Sequence, residues 1–171
     1  MKLYHGTNID FDKIDISKSK PNKDFGCGFY LSADFEQAKN MANIKFEQME
    51  TGKPLVQEYS IDEIEMKKLK CLIFDDYTEE WAKFILLNRN NPLSVPTHDY
   101  DIVIGPIAND RVGVQLWKYE SQLIDLPTLV KRLKYMKGIT IQYFFGTERA
   151  IKLLKRLWTK LAKWKRTWLK T

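Results

Sequence analysis

Cysteine and histidine are scarce in this chain of 171 residues, which contains two of each. Cys27 and Cys71 provide no disulfide framework and no metal-ligand spacing, so we expect no metal site. No run of about 18 apolar residues is present, so the sequence predicts no membrane-spanning segment. The first residues also lack the apolar core of a signal peptide, and we therefore expect a cytoplasmic protein.

Acidic residues are missing from the C-terminal part of the chain. Residues 152–171 contain eight basic residues and no acidic one, which leaves 20 basic and 22 acidic residues in the rest. Trp158, Trp164 and Trp168 lie between these charges. The segment could bind nucleic acid, with cations on phosphates and tryptophans on bases, or a membrane surface or an acidic partner. Packing of the tryptophans on the core is the structural alternative.

Hydrophobic residues make up 44% of the chain and aromatic residues 13%, which excludes a disordered protein. The length suits one domain, predicted over 1–157, followed by a basic, Trp-rich extension over 158–171. Apolar residues at steps of three and four predict that this extension continues a helix that begins at Thr147. Strands are predicted at 1–8, 26–31, 55–61, 100–104 and around 142, and helices at 34–49, after 78 and from 127 to 136. Adjacent strands with irregularly interleaved helices favour an α+β domain.

Two glycine-containing motifs near the N-terminus suggest a binding site for a flat ligand. The first is Tyr4-His5-Gly6-Thr7, and the second is Gly26-Cys27-Gly28-Phe29-Tyr30-Leu31-Ser32. Gly6 lacks a Cβ, so its backbone could approach a ligand closely. His5 and Thr7 share one face of a strand, and Tyr30 offers a rigid ring with a polar tip.

These motifs resemble the NAD-binding core of ADP-ribosyltransferases of the diphtheria-toxin and poly(ADP-ribose) polymerase class, which uses a His-Tyr-Glu triad. The order of later landmarks is also similar, with a helix containing Ala38 and then a strand around Gln142 followed by Glu148-Arg149-Ala150. The chain is most similar to a branch of small bacterial domains, some of which look like the toxin halves of two-gene systems. The resemblance implies two packed, mainly antiparallel sheets around an NAD cleft.

The resemblance also implies a role for each matching residue. His5 would donate to a ribose hydroxyl, the Gly6 backbone would pair with the nicotinamide carboxamide, and Thr7 would support the ribose. Tyr30 would stack on the nicotinamide ring. Gly28 and Met41 are further expected NAD contacts, although the family has an aromatic residue at the position of Met41.

Gln142 stands where the family has its catalytic glutamate. An amide can bond a ribose hydroxyl but cannot take a proton or present a negative charge. Three explanations are open: the acceptor needs no strong base, the charge comes from elsewhere, or NAD is bound without turnover. Glu148 is a substitute carboxylate by type, but its position predicts the first turn of a helix.

Two further side chains are candidates for phosphate or acceptor contacts. Arg111 belongs to the polar corner Asn109-Asp110-Arg111, and Lys23 lies in the loop before the Tyr30 strand, where the resemblance implies a loop over the dinucleotide. For each of them an ordinary turn or a solvated loop is the alternative.

The leading hypothesis is an NAD-dependent mono-ADP-ribosyltransferase, a toxin or defence effector with an unknown protein or nucleic-acid acceptor and an antitoxin-like partner. NAD would be its substrate, and no metal is expected. The alternative is a non-catalytic NAD- or nucleotide-binding module whose basic tail recruits nucleic acid or a partner protein.

Overall fold

A computed structural model describes residues 1–93, 95–109, 111–134 and 138–162. Over these residues the chain forms seven strands and six α-helices, which confirms the α+β class. The strands are β1 (Lys2–Thr7), β2 (Phe29–Ser32), β3 (Leu55–Ser60), β4 (Cys71–Ile73), β5 (Ile102–Pro106), β6 (Ile141–Phe145) and β7 (Lys155–Leu161). The helices are α1 (Phe35–Met49), α2 (Glu63–Met66), α3 (Glu79–Arg89), α4 (Val112–Glu120), α5 (Leu126–Leu133) and α6 (Glu148–Ile151).

The described strands form one mixed sheet in the order β4-β5-β6-β2-β1-β3-β7. Only β4 and β5 run parallel to each other. The expectation of two separate packed sheets was wrong, because the two halves of this sheet are joined through β1 and β2. The joint is narrow: the described register of β1 with β2 contains the pair Tyr4–Ser32, whereas β1 pairs with β3 along its whole length. We call this joint the β1–β2 junction.

The alternation of side chains along the strands divides the core between the two faces of the sheet. On one face, Val103 and Phe144 pack with Trp81, Ile85 and Leu129, which come from α3 and α5. On the opposite face the buried cluster contains Leu3, Phe29, Tyr59, Ile102 and Phe145. Consecutive residues of β2, and likewise of β6, therefore point to opposite faces of the sheet. This alternation determines on which face each side chain of the candidate site lies.

Helix α1 begins as the sequence predicts, because the Asp34 side chain caps it by accepting from the N–H groups of Glu36 and Gln37. It packs on β1 through Ala38 and Ala42, both buried. This contact holds the helix directly over the first of the two glycine motifs.

The predicted long C-terminal helix was wrong. α6 ends at Ile151, and the residues from Lys155 to Leu161 form strand β7, which pairs antiparallel with β3. The free edge of β3 offers backbone hydrogen bonds that outweigh the helical spacing of the apolar residues. The predicted boundary between 157 and 158 falls inside this strand, and Trp158 packs near the rings of Tyr4 and Phe35. The predicted contributions of Trp164 and Trp168 lie outside the described residues.

Candidate functional site

His5 bridges β1 and β2 through its imidazole ring. Its Nδ1 lies 2.7 Å from the backbone oxygen of Tyr30, and its Nε2 lies 3.4 Å from Nζ of Lys45. A carbonyl oxygen can only accept, so Nδ1 carries the proton and Nε2 accepts from the lysine. Burial, together with the positive charge of Lys45, lowers the pKa of His5 well below its usual value. The imidazole is therefore neutral near pH 7, with both nitrogens engaged.

Tyr30 anchors the loop that precedes it. Its hydroxyl accepts from the N–H of Phe25 at 3.1 Å and donates to the Gly26 carbonyl at 2.7 Å. Burial raises the pKa of Tyr30 well above its usual value, so the phenol stays protonated. The ring meets Phe144 edge-on, with 5.3 Å between centroids.

His5 and Tyr30 are in direct contact, but their rings are not stacked in one pocket. The His5 ring packs on Phe29 with 4.4 Å between centroids, in the cluster on one face of the sheet. The Tyr30 ring belongs to the cluster on the other face. The two residues meet through the backbone carbonyl of Tyr30, at the place where β1 and β2 diverge.

The glycines expected to approach a ligand have structural contacts. A Cβ added at Gly6 would lie 2.0 Å from the Ala38 carbonyl oxygen, so its absence allows α1 to sit on β1. A Cβ at Gly28 would lie 2.2 Å from the Phe144 ring. Thr7 is buried, and its hydroxyl donates to the Ile9 carbonyl and accepts the Ile9 N–H. The contacts of these three residues with NAD stay predictions.

Two half-buried lysines, Lys23 and Lys45, lie close to Tyr30 and Gly6. Only Lys23 was a candidate from the sequence. Lys45 of α1 donates to the Gly6 carbonyl at 2.7 Å, and the ammonium of Lys23 lies 5.1 Å from the Tyr30 ring centroid. Burial and the charge of Lys23 lower the pKa of Lys45 to about 8, and burial also lowers the pKa of Lys23. Among the described ion pairs neither lysine has a carboxylate partner. Such cations favour an anionic ligand.

Gln142 lies on β6 opposite Ser32 of β2. Its Nε2 donates to Oδ2 of Asp24 at 3.1 Å and is 3.5 Å from the Pro106 carbonyl. Asp24 is 7% exposed, and its Oδ1 accepts from Arg89 at 2.7 and 2.8 Å. A buried carboxylate thus stands beside the amide that replaces the expected glutamate. We refer to His5, Lys23, Asp24, Tyr30, Lys45, Arg89 and Gln142 as the polar cluster.

The other candidates lie at the margin of the polar cluster or apart from it. Met41 is 41% exposed and lies one helical turn before Lys45 on α1. Arg111 is exposed at the start of α4, where its backbone N–H lies 3.4 Å from Oδ1 of Asn109. In the described contacts its side chain bonds to no member of the polar cluster. Glu148 occupies the first turn of α6, as its position in the sequence predicts.

Lys45, Asp24 and Arg89 were missed by sequence reasoning. Lys45 had a detectable signal, because it follows Ala38 and Met41 at helical steps of seven and four on the same helix. Asp24 lies in a loop and Arg89 ends α3, so their meeting with Gln142 depends on the folded chain.

The members of the polar cluster line neither of two depressions on the surface of the described residues. One, of about 410 Å³, is lined by Tyr119, Glu120, Gln122, Ile124 and Asp125. A second, of about 300 Å³, adjoins the Tyr30 loop at Phe25, Gly26 and Cys27 and extends to His98. The site is therefore defined by its polar side chains rather than by one of these depressions.

Within the described ranges, no group of three or more His, Cys, Asp or Glu side chains is arranged to hold a metal ion. In the same part of the chain, no helix combines the length and apolar character needed to cross a bilayer.

The fold and the polar cluster define an α+β protein with a cationic, amide-bearing site at the junction between two halves of a mixed sheet. Residues 1–156 match the family described as Protein of unknown function (DUF3990), and the chain belongs to this family. No curated protein and no solved structure matches the chain.

Proposed function

We propose that this protein is an NAD-dependent mono-ADP-ribosyltransferase, which cleaves the bond between nicotinamide and ribose and transfers ADP-ribose to an acceptor. The observation that carries the proposal is the adjacency of β1, β2 and β6 in the sheet. These strands bring together His5, Tyr30 and Gln142, which come from three separate motifs. His5 bonds to the Tyr30 carbonyl, and Gln142 lies opposite the end of the Tyr30 strand.

The charges of the polar cluster support a dinucleotide ligand. Lys23, Lys45 and Arg89 outnumber the single carboxylate, Asp24, and the two lysines have no acidic partner among the described ion pairs. A pyrophosphate carries the negative charge that such a cluster favours. The Tyr30 ring lies beside the Lys23 ammonium, so one ligand could meet both a ring and a cation.

The proposed reaction requires no covalent bond between the protein and the substrate. Nicotinamide leaves with the electrons of its bond to the ribose, and the electron-poor ribose carbon then accepts a lone pair from a nucleophile. The protein would hold the dinucleotide in a reactive pose and stabilise the positive charge that develops on the sugar. Gln142 would orient the ribose by accepting a hydrogen bond from a hydroxyl group.

A second candidate function is a non-catalytic NAD- or nucleotide-binding module. The amide at Gln142 favours it, since an amide cannot act as a base. The two functions differ in whether nicotinamide is released, which can be measured directly.

The test is incubation of the full chain with NAD labelled in its adenine part and, separately, in its nicotinamide. Pools of protein, RNA and DNA serve as acceptors, and heat-denatured protein is the control. We expect nicotinamide release and transfer of the adenine label to one pool. Binding of NAD without release would establish the binding module instead, and neither binding nor release would refute both functions.

A further inference from the structure

The orientation of the Gln142 amide is determined by its neighbours. One side of the amide faces Oδ2 of Asp24 and the carbonyl oxygen of Pro106. A carbonyl oxygen and an ionised carboxylate both accept hydrogen bonds and cannot donate them. The amide nitrogen must therefore face these two groups. Oε1 is then the atom that the side chain offers to other groups, and its chemistry is that of an acceptor.

Asp24 is in turn held by Arg89. Two guanidinium nitrogens of Arg89 donate to Oδ1 of Asp24, while Oδ2 remains for Gln142. A buried carboxylate is costly unless it is paired, and here the pairing uses one oxygen for the cation and the other for the amide. The result is a chain of charge-assisted hydrogen bonds from Arg89 through Asp24 to Gln142.

We propose that Asp24 is the positioning carboxylate of this site, which fixes and polarises Gln142 so that Oε1 accepts a hydrogen bond from a ribose hydroxyl of the substrate. This inference rests on the proposed function. Position 142 carries no negative charge, but the Asp24 carboxylate carries one and acts on the Gln142 amide through their hydrogen bond. Donation of the N–H groups to a carboxylate makes the amide oxygen a stronger acceptor.

The test compares nicotinamide release by the wild type, Asp24→Asn, Gln142→Glu and the double variant Asp24→Asn/Gln142→Glu. Asp24→Asn should lower kcat by about tenfold or more, as expected for one lost charge-assisted hydrogen bond. KM should change by less than about threefold, because Asp24 acts through Gln142 on a charge that develops during the reaction. The double variant should recover most of kcat, because the amide introduced at position 24 can donate to a carboxylate at position 142.

Gln142→Glu alone places a second carboxylate beside Asp24. Two carboxylates at hydrogen-bonding distance cannot both ionise easily, so this variant should be less active than the double variant near neutral pH. If Asp24→Asn alone fails to fold but the double variant folds, this comparison decides. Equal kcat in the two proteins would then overturn the inference.

The matched control is Asp12→Asn, which removes the carboxylate of another Asp–Arg pair, with Arg156, at an exposed position. It should leave kcat unchanged. These outcomes apply if the wild type releases nicotinamide. An unchanged kcat in Asp24→Asn, or a double variant as slow as Asp24→Asn, would then overturn the role proposed for Asp24.

A wild type that releases no nicotinamide would instead refute the proposed activity. A readout independent of turnover is the Gln142 side-chain amide signal in ¹⁵N NMR spectra. It should shift in Asp24→Asn and stay in place in Asp12→Asn. An unshifted signal would show that Asp24 does not hold the amide.

Discussion

At the scale of single residues, the protonation states of His5 and Lys45 depend on the lysine charges beside them. The ammonium of Lys45 donates to the neutral imidazole of His5, and its charge helps to keep that imidazole neutral. The charge of Lys23 contributes in turn to the lowered pKa of Lys45. A bound anion would relieve this repulsion, so ligand binding and protonation should be coupled.

The first prediction concerns Lys45 and pH. Its pKa of about 8 means that the ammonium loses its proton as the pH rises through that value, and an anionic ligand then loses a cation. NAD affinity should therefore fall by about fivefold to tenfold between about pH 7 and about pH 9.5. Calorimetry measures this decrease directly.

The control for this experiment is Lys39→Met, on the same helix, which removes a lysine that pairs with Glu36 at the surface. It should keep the pH dependence, whereas Lys45→Met should bind weakly at both pH values. A wild type and a Lys45→Met variant with the same pH profile would show that Lys45 does not meet the ligand.

The second prediction concerns His5 and folding stability. Its pKa is depressed in the folded protein, so the unfolded chain binds a proton near pH 6.5 while the folded chain does not. The free energy of unfolding should therefore fall as the pH decreases below about 6.5, by up to about 1 kcal/mol per pH unit. Urea unfolding at about pH 7.5 and about pH 5.5 measures this, and His5→Gln should show a smaller loss than the wild type. Equal losses would contradict the neutral imidazole.

At the scale of secondary-structure elements, the packing of α1 on β1 determines the position of the Lys45 side chain. The third prediction is that Gly6→Ala destabilises the protein by about 2 kcal/mol or more, because the new Cβ would collide with the backbone of α1. Thermal unfolding measures the change.

Gly113→Ala is the matched control, since a Cβ there meets nothing within 4 Å and Gly113 lies in a helix. It should be neutral or stabilise by up to about 1 kcal/mol. Equal melting temperatures for Gly6→Ala and the wild type would mean that α1 can shift freely on β1.

The elements that the sequence predicted well carry strong local signals. Asp34 and Thr78 cap α1 and α3 with their side chains, and both helices begin where expected. α4 was missed; it has no side-chain cap, since Arg111 stands at its N-cap. The C-terminal segment was misassigned because its apolar spacing suits a helix, while the open edge of β3 makes it a strand.

The same distinction explains what could be predicted of the site. His5, Tyr30 and Gln142 belong to motifs whose order along the chain is informative. Asp24 and Arg89 carry no local pattern, and they meet Gln142 only because a loop and the end of α3 converge on β6.

At the scale of the whole molecule, the basic C-terminal segment is partly built into the sheet. Arg156 of β7 bonds to Asp10, Asp12 and the Phe11 carbonyl, so some of the segment's charge is used inside the fold. A truncation that tests partner binding must therefore spare β7 and begin after Ala162, which is buried.

The fourth prediction is that the protein binds single-stranded nucleic acid mainly through residues 163–171, which contain four basic side chains. Truncation after Ala162 should reduce the log-log salt slope of single-strand binding by up to about 3, at about 0.7 per phosphate contacted. NAD affinity should not change. Gel shifts over a salt series test this, and identical slopes for both proteins would exclude the segment as the nucleic-acid contact.

The central claim is that NAD binds at the β1–β2 junction against Tyr30, and calorimetry with three proteins tests it most directly. Tyr30→Phe and Tyr30→Ala both lose the hydroxyl that holds the Gly26 loop, but only Tyr30→Phe keeps the ring. We predict saturable binding of one NAD to the wild type, comparable binding to Tyr30→Phe, and at least about tenfold weaker binding to Tyr30→Ala, as expected for a lost aromatic contact. Absence of binding to the folded wild type, or equal affinity for the wild type and Tyr30→Ala, would contradict the account.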